Sequence, residues 1–273
     1  MKTKIGLIID NYHLSNKVTE FLKYLKSIAY VKLYIEESFL LRSSELYFDE
    51  DIFFVKGKGT LILGLVKLIE EYTSIPVINS YKAIWLTINR FLSSTYLRKG
   101  GIPVPDFSLN PSGYLPPFNN FIIKNIIDQR NYKFKPMIDK KNGHFRVADI
   151  RALDEVDGKE IKYNFLYYQK FIESKWEYKI YGIGEDVYFY KQLPILINPN
   201  KIESRQEIKE IPELKEYCLK AMEIMDLKLT SIDYLKSNDG EFYLTDINNT
   251  PNFNYIKDGH KIVADFLIEQ AKK

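Results

Sequence analysis

Asp246 and Asn248 stand two residues apart in LTDINNTPNF (244–253), on what hydrophobic patterning predicts to be a strand that Pro251 then breaks. A buried strand asks for Val or Ile at such positions, so an acid and an amide on one face need a chemical reason. LTSIDYL (229–235) predicts a partner strand, joined through the turn SNDG (237–240) into a hairpin. A loop of Ser237–Gly240 sets Asp233 opposite Leu244, and a loop of only Asp239-Gly240 sets it opposite Asp246. Under either even-length loop, Asp233, Asp246 and Asn248 project from one face; an odd loop or a bulge breaks the pattern. Three converging oxygen donors make a poor core but a good Mg²⁺ site, with Mn²⁺ as the alternative ion. Without a cation the two carboxylates repel and one pKa rises. Spacing alone fits a solvent-facing edge equally well.

Cations supply the rest of the chemistry. Lys124 ends the apolar run FIIK, and Lys135 lies in YKFKP as its rival for the same role. Lys179 in EYKIYG and Lys191 in DVYFYKQ alternate in a way compatible with both entering one cleft. Other chemistries are disfavoured. One cysteine, Cys218, excludes an internal disulfide framework and suits a reducing cytosol. Three dispersed histidines, His13, His144 and His260, argue against a His-based zinc site or a catalytic triad. A formal charge of +3 is too small to indicate nucleic acid. No apolar run approaches the ~18–20 residues of a membrane span.

The elements that must position these groups change character along the chain. KIGLIID (4–10), YVKLYIE (30–36), DIFFVKG (51–57) and IPVIN (75–79) read as buried strands. They alternate with helical patterns at 18–29 and 60–73, so residues 1–80 form a small parallel α/β unit covered on both faces. Residues 81–100 predict one helix, ended by Gly100-Gly101. Residues 101–117 hold five of the eleven prolines and mark a boundary. Short β-rich runs follow, then a helix at 212–226, the hairpin, and a closing helix. The expected fold class is α/β plus α+β: the parallel unit, then residues 81–273 with antiparallel sheets and a smaller subdomain at about 118–172.

Three segments carry a family resemblance. SIDYL…GEFYLTDINNTPNF resembles the end of an ATP-grasp domain, PVINSYKAIWLTINRFLSSTYLRKGGIPVPDF (76–107) resembles its entry, and YYQKFIESKWEYKIYGIGEDVYFYKQ (167–192) is similar to its adenine-contacting and basic strands, above all in glutathione synthetase/RimK-like enzymes. The resemblance implies a cytoplasmic ATP-grasp ligase using ATP and Mg²⁺, with Asp233, Asp246 and Asn248 on the metal. Arg90 would bind phosphate, in an Asn89-Arg90 pair where the family has Asp-Lys. Lys124, or Lys135, would be the lid lysine. Backbone groups of Gln169, Lys170 and Phe171 would meet adenine, and Glu173 the ribose. Lys179 and Lys191 would meet the terminal phosphates and an acyl-phosphate intermediate. Residues 125–146 hold only Gly143 where the family has a glycine-rich loop, and Lys140, Lys141, His144 and Arg146 could substitute side-chain charge. Carboxylate–amine ligation on small-molecule or peptide substrates is the implied reaction, without nucleic acid or membrane, and with a homo-oligomer left open. EYKIYGIGE and LTDINNTPNF also resemble inositol-phosphate kinases of the same superfamily. A nucleotide-binding module without catalysis is the third alternative.

Overall fold

The computed structural model describes residues 2–38, 47–111, 114–128, 165–195, 197–198 and 200–273, and the backbone alone in strand segments between 134 and 160. The first layer runs β1 (Lys4–Ile9), α1 (Asn11–Asn16), α2 (Thr19–Ile28), β2 (Tyr30–Ile35), β3 (Ile52–Lys56), α3 (Thr60–Tyr72) and β4 (Val77–Ile78). Its strands are all parallel, in the order β2-β1-β3-β4. Burial on both faces explains their unbroken apolar runs. Ile8, Phe53 and Val55 face α3, whereas Ile5, Leu7 and Phe54 face α2.

The helix expected at 81–100 is two helices, α4 (Tyr81–Ile88) and α5 (Arg90–Lys99). Asn89 between them is extended, and its side chain caps α5 by accepting from the Leu92 amide at 3.1 Å. Asn89 also forms a strand bridge to Ile127. Helical periodicity continued through this position, so only a cap and a tertiary partner could reveal the break.

The second sheet contains β5 (Phe107–Pro111), β6 (Phe121–Lys124), β7 (Phe134–Lys141) and β8 (His144–Arg151), with a small ribbon of β9 (Glu155–Val156) and β10 (Lys159–Glu160) before β11 (Phe165–Lys170). Its order is β5-β11-β6-β8-β7. β5 lies in the proline-rich stretch read as a boundary; proline is tolerated there because β5 is an edge strand. β6 and β8 pair in parallel, a departure from the antiparallel expectation.

The third sheet is antiparallel, in the order β14-β13-β12-β15-β16. It is built from β12 (Glu177–Ile183), β13 (Asp186–Gln192), β14 (Gln206–Glu207), β15 (Leu229–Lys236) and β16 (Phe242–Asn248), with α6 (Pro212–Met225) and α7 (Gly259–Gln270). Gly184 turns β12 into β13 at φ +59°, a conformation that favours glycine. Ile180, Ile232, Tyr234 and Leu244 pack toward α6. Tyr181 and Tyr190, on the other face, join a core that also contains Leu7, Phe54 and, from α7, Val263 and Leu267. The last helix therefore helps to cover the first sheet. Asn79 fastens the two: its amide donates to the Leu229 and Asn249 carbonyls (2.8 and 3.0 Å) and accepts from the Lys228 and Leu229 amides (2.8 and 3.0 Å). No helix among the described residues is long and apolar enough to cross a membrane.

Candidate functional site

The hairpin loop is five residues, with Lys236 paired to Phe242, an odd length that would turn Asp246 toward the α6 core. A bulge between Asp233 and Tyr234, with Thr245 as the extra residue, restores parity. Asp233 then lies directly opposite Asp246, and Ser231 opposite Asn248. Both interruptions that could have broken the shared face are present, and they cancel. The sequence supplied the correct face through the wrong loop.

Lys179 is the cross-strand neighbour of Asp233 on the other side, and their charged atoms are 2.6 Å apart. Burial alone would raise the Asp233 carboxyl, yet Lys179, Lys201 and Arg205 together hold it below the usual carboxylate range. Glu177 shares this face and is pushed up, first by burial and then by Asp233. The side chain of Asn248 accepts from the Thr250 amide at 3.0 Å and so also shapes the turn into Thr250-Pro251. Two opposed carboxylates, one held ionised, with an amide oxygen beyond, fit a hard divalent ion whose other ligands are phosphate oxygens and water. Histidine, cysteine and further acids add nothing: no cluster of three such groups occurs among the described residues.

Lys191 does not join this group. Its register partner is Tyr178, so it projects from the α6 side of the sheet, where it lies 4.6 Å from the Trp176 ring centroid. The expected shared cleft for Lys179 and Lys191 is thus corrected: their positions differ by an even number of residues, but the β12–β13 turn puts them in opposite phase.

Above Asp246 the second sheet closes a narrow slot lined by Arg90, Lys124, Tyr167, Gln169 and Leu244. Lys124 and Gln169 share one face of β6 and β11, and both donate to the carbonyl of the bulged Thr245, at 2.9 and 3.4 Å. Arg90 enters from the start of α5, donating to the Asn125 carbonyl (2.9 Å) and the Asp128 carboxylate (3.0 Å). Asp128 also pairs with Lys58, a contact the sequence did not suggest. The backbone expected against adenine is partly engaged. The Lys170 amide donates to the Asp106 carbonyl, ahead of the unforeseen β5, and the Phe171 amide to the Asn120 carbonyl, ahead of β6, both at 2.7 Å, because β11 is an interior strand between the two. Lys170 and Glu173 are exposed and line neither cavity described here. The side chains of Lys135, Lys140, Lys141, His144 and Arg146 lie outside the described residues.

Past Asn248 the same face opens into a cavity of about 390 Å³. Among the described residues its cations are Lys17, Lys56, Lys179, Lys201 and Arg205, alongside His13, and no carboxylate lines it. His13, paired through Nδ1 with Asp10 at 2.8 Å, is fully buried. Sequence reading missed most of this wall. Its one signal was a lysine, Lys56, at the end of the wholly buried strand IFFVK.

No family model matches the chain, and no curated protein matches it. Solved structures do. They include the ATP-grasp ligase PsnB complexed with minimal precursor, Mg and ADP (15% identity, TM-score 0.66, 98% of this chain and 97% of that one). A RiPP-associated ATP-grasp ligase from Chryseobacterium gregarium, in complex with ADP and a leader and core peptide, is 14% identical with a TM-score of 0.67, over 98% and 97%. A RimK domain ATP-grasp protein from Sphaerobacter thermophilus DSM 20745 is also 14% identical with a TM-score of 0.67, over 97% and 100%. At this identity it is the architecture that is shared, from the parallel sheet through the clamp of two further sheets, and over nearly its whole length this chain has the ATP-grasp fold.

Proposed function

We propose that the chain is an ATP- and Mg²⁺-dependent carboxylate–amine ligase. The observation that carries this reading is the continuous polar face from the Lys124–Gln169 slot, over Asp246 and Asp233, into the cationic cavity. The slot takes the nucleotide, with Arg90 and Lys124 on its phosphates. Magnesium, held by Asp233, Asp246 and Asn248, would neutralise phosphate charge and orient the terminal phosphoryl group. Lys179, on the wall of the cationic cavity beside Asp233, stabilises the charge that develops as a substrate carboxylate takes the γ-phosphate. An amine then attacks the acyl phosphate, and phosphate leaves. No side-chain nucleophile is needed. Cys218, whose thiol burial pushes up to about 12, is in no position to be one. Similarity to ligases captured with ADP and peptide supports ADP as product and a peptide or small molecule as acceptor.

The cationic cavity favours a second reading, phosphorylation of a hydroxyl on an already anionic acceptor. Incubation with Mg-ATP and a pool of amines, peptides and polyols, followed by mass spectrometry, decides between them. Ligation yields ADP, free phosphate and an amide joined with loss of water; a phosphoryl-bearing product with no free phosphate would replace the ligase by a kinase. Binding of Mg-ATP without turnover across the pool would overturn both.

A further inference from the structure

The cavity beyond Asn248 holds more positive charge than phosphoryl transfer at Asp233 uses. Two of its five cations are matched: Lys179 by Asp233 at 2.6 Å, and Lys201 by Glu177 at 2.8 Å. Arg205 and Lys17 make no ion pair among the described residues. Arg205 is braced rather than neutralised. Its Nε donates to Gln192 Oε1 at 2.6 Å, an Nη donates to the Tyr181 hydroxyl at 3.1 Å, and its guanidinium lies 4.3 Å from the Tyr255 ring centroid. Gln192 is fully buried and in turn donates to Glu177, so the brace is anchored in the core. A guanidinium fixed on one edge and one face offers its remaining N–H groups in a set direction, the geometry that reads a carboxylate or phosphate. Lys17 reaches the same cavity from the junction of α1 and α2. Arg205 immediately precedes β14, at one edge of the third sheet, whereas the slot lies against β16 at the other edge, so this arginine stands on the side of the cavity away from the nucleotide slot.

We propose that Arg205 and Lys17 form an anion subsite that selects an acceptor carrying a second oxyanion, a carboxylate or a phosphate monoester, besides the group that reacts. The inference rests on the reading of the slot as the nucleotide site, and it holds for ligation and for phosphorylation alike. It explains why the described residues of the cavity wall are aromatic, cationic and neutral polar groups without a carboxylate: like charge would repel such an acceptor.

Calorimetric titration of the Mg-ADP-saturated protein with glutarate, glycerol 3-phosphate and neutral glutaramide tests it. At least one dianionic or phosphate-bearing probe should bind at least tenfold more tightly than glutaramide. Arg205→Gln and Lys17→Gln should each weaken that probe about tenfold, with Mg-ADP affinity held within twofold in Lys17→Gln. Binding of glutarate alone assigns the subsite to carboxylates, and of the phosphate ester alone to phosphates. Equal binding of glutaramide, or a loss of Mg-ADP affinity in Lys17→Gln that matches its loss for the probe, overturns the proposal. Titration without nucleotide separates the two readings, because failure of Mg-ADP to bind the wild-type chain sinks the slot assignment while leaving anion binding measurable.

Discussion

Asp246 and Asp233 face each other at the middle of the polar face, and their substitution should have different signatures. Under the proposed metal site, Asp246→Ala would remove a donor to magnesium, so the rise in melting temperature produced by Mg-ATP should vanish while the nucleotide-free protein melts almost unchanged. A Mg-ATP shift that survives in this variant would remove Asp246 from the metal site. Asp233 is different because Lys179 makes it structural as well. Its folded pKa lies below the unfolded value of about 3.9, so its stabilisation is present at neutral pH and is lost as pH falls below about 4 and through the folded value. Asp233→Asn should cost about 3 kcal/mol at neutral pH by leaving Lys179 buried and unmatched, and should flatten the acid side of the stability curve. A parallel curve in urea titrations across pH would show that the pair does not govern acid stability.

At the scale of elements, the decisive features are interruptions. Asn89 divides a continuous helical pattern and aims Arg90 at the slot. Asn89→Ala should lose its cap and destabilise by about 1 kcal/mol in urea unfolding; an unchanged midpoint would mean the bridge to Ile127 alone fixes the break. Thr245 interrupts β16, and its carbonyl is where Lys124 and Gln169 converge. The bulge sits where one sheet hands side chains to another, a common place for an aimed side chain. Neither interruption has a strong local signal. Strand identity and the lysine ending FIIK were legible because alternation and apolar runs are local, whereas the shared face of Asp233, Asp246 and Asn248 came out right only because an odd loop and a bulge cancel. The phase of Lys191 against Lys179 was not, because it depends on which residues the β12–β13 turn consumes.

Across the whole molecule, the first and third sheets share a core. Phe21 and Phe54 belong to the same apolar cluster as Tyr181, Phe253 and Leu267, and the Asn79 side chain ties the two parts through four hydrogen bonds to backbone groups. Asn79→Ala should therefore cost about 3 kcal/mol and lower one common transition, with far-ultraviolet and tyrosine signals moving together. Residues 1–80 alone should remain unfolded by circular dichroism, since the first sheet would lose the apolar cover of α7. A folded fragment would show that α2 and α3 suffice. The same sharing builds the cationic cavity, whose walls come from α1, β3, β12, the segment after β13, and the turn beyond β16.

By itself, the sequence determined the alternating first unit, the hairpin that carries the three oxygen donors, and the lysine that ends the apolar strand FIIK. Each of these follows from periodicity and side-chain type within a dozen residues. Only the tertiary structure decided that β5 makes β11 an interior strand, that Lys191 turns away, and that Lys17, Lys56 and Arg205 meet in one cavity from points far apart in the chain. Those facts depend on strand order and on pairing between distant segments, and a one-residue bulge is enough to change which face a side chain serves.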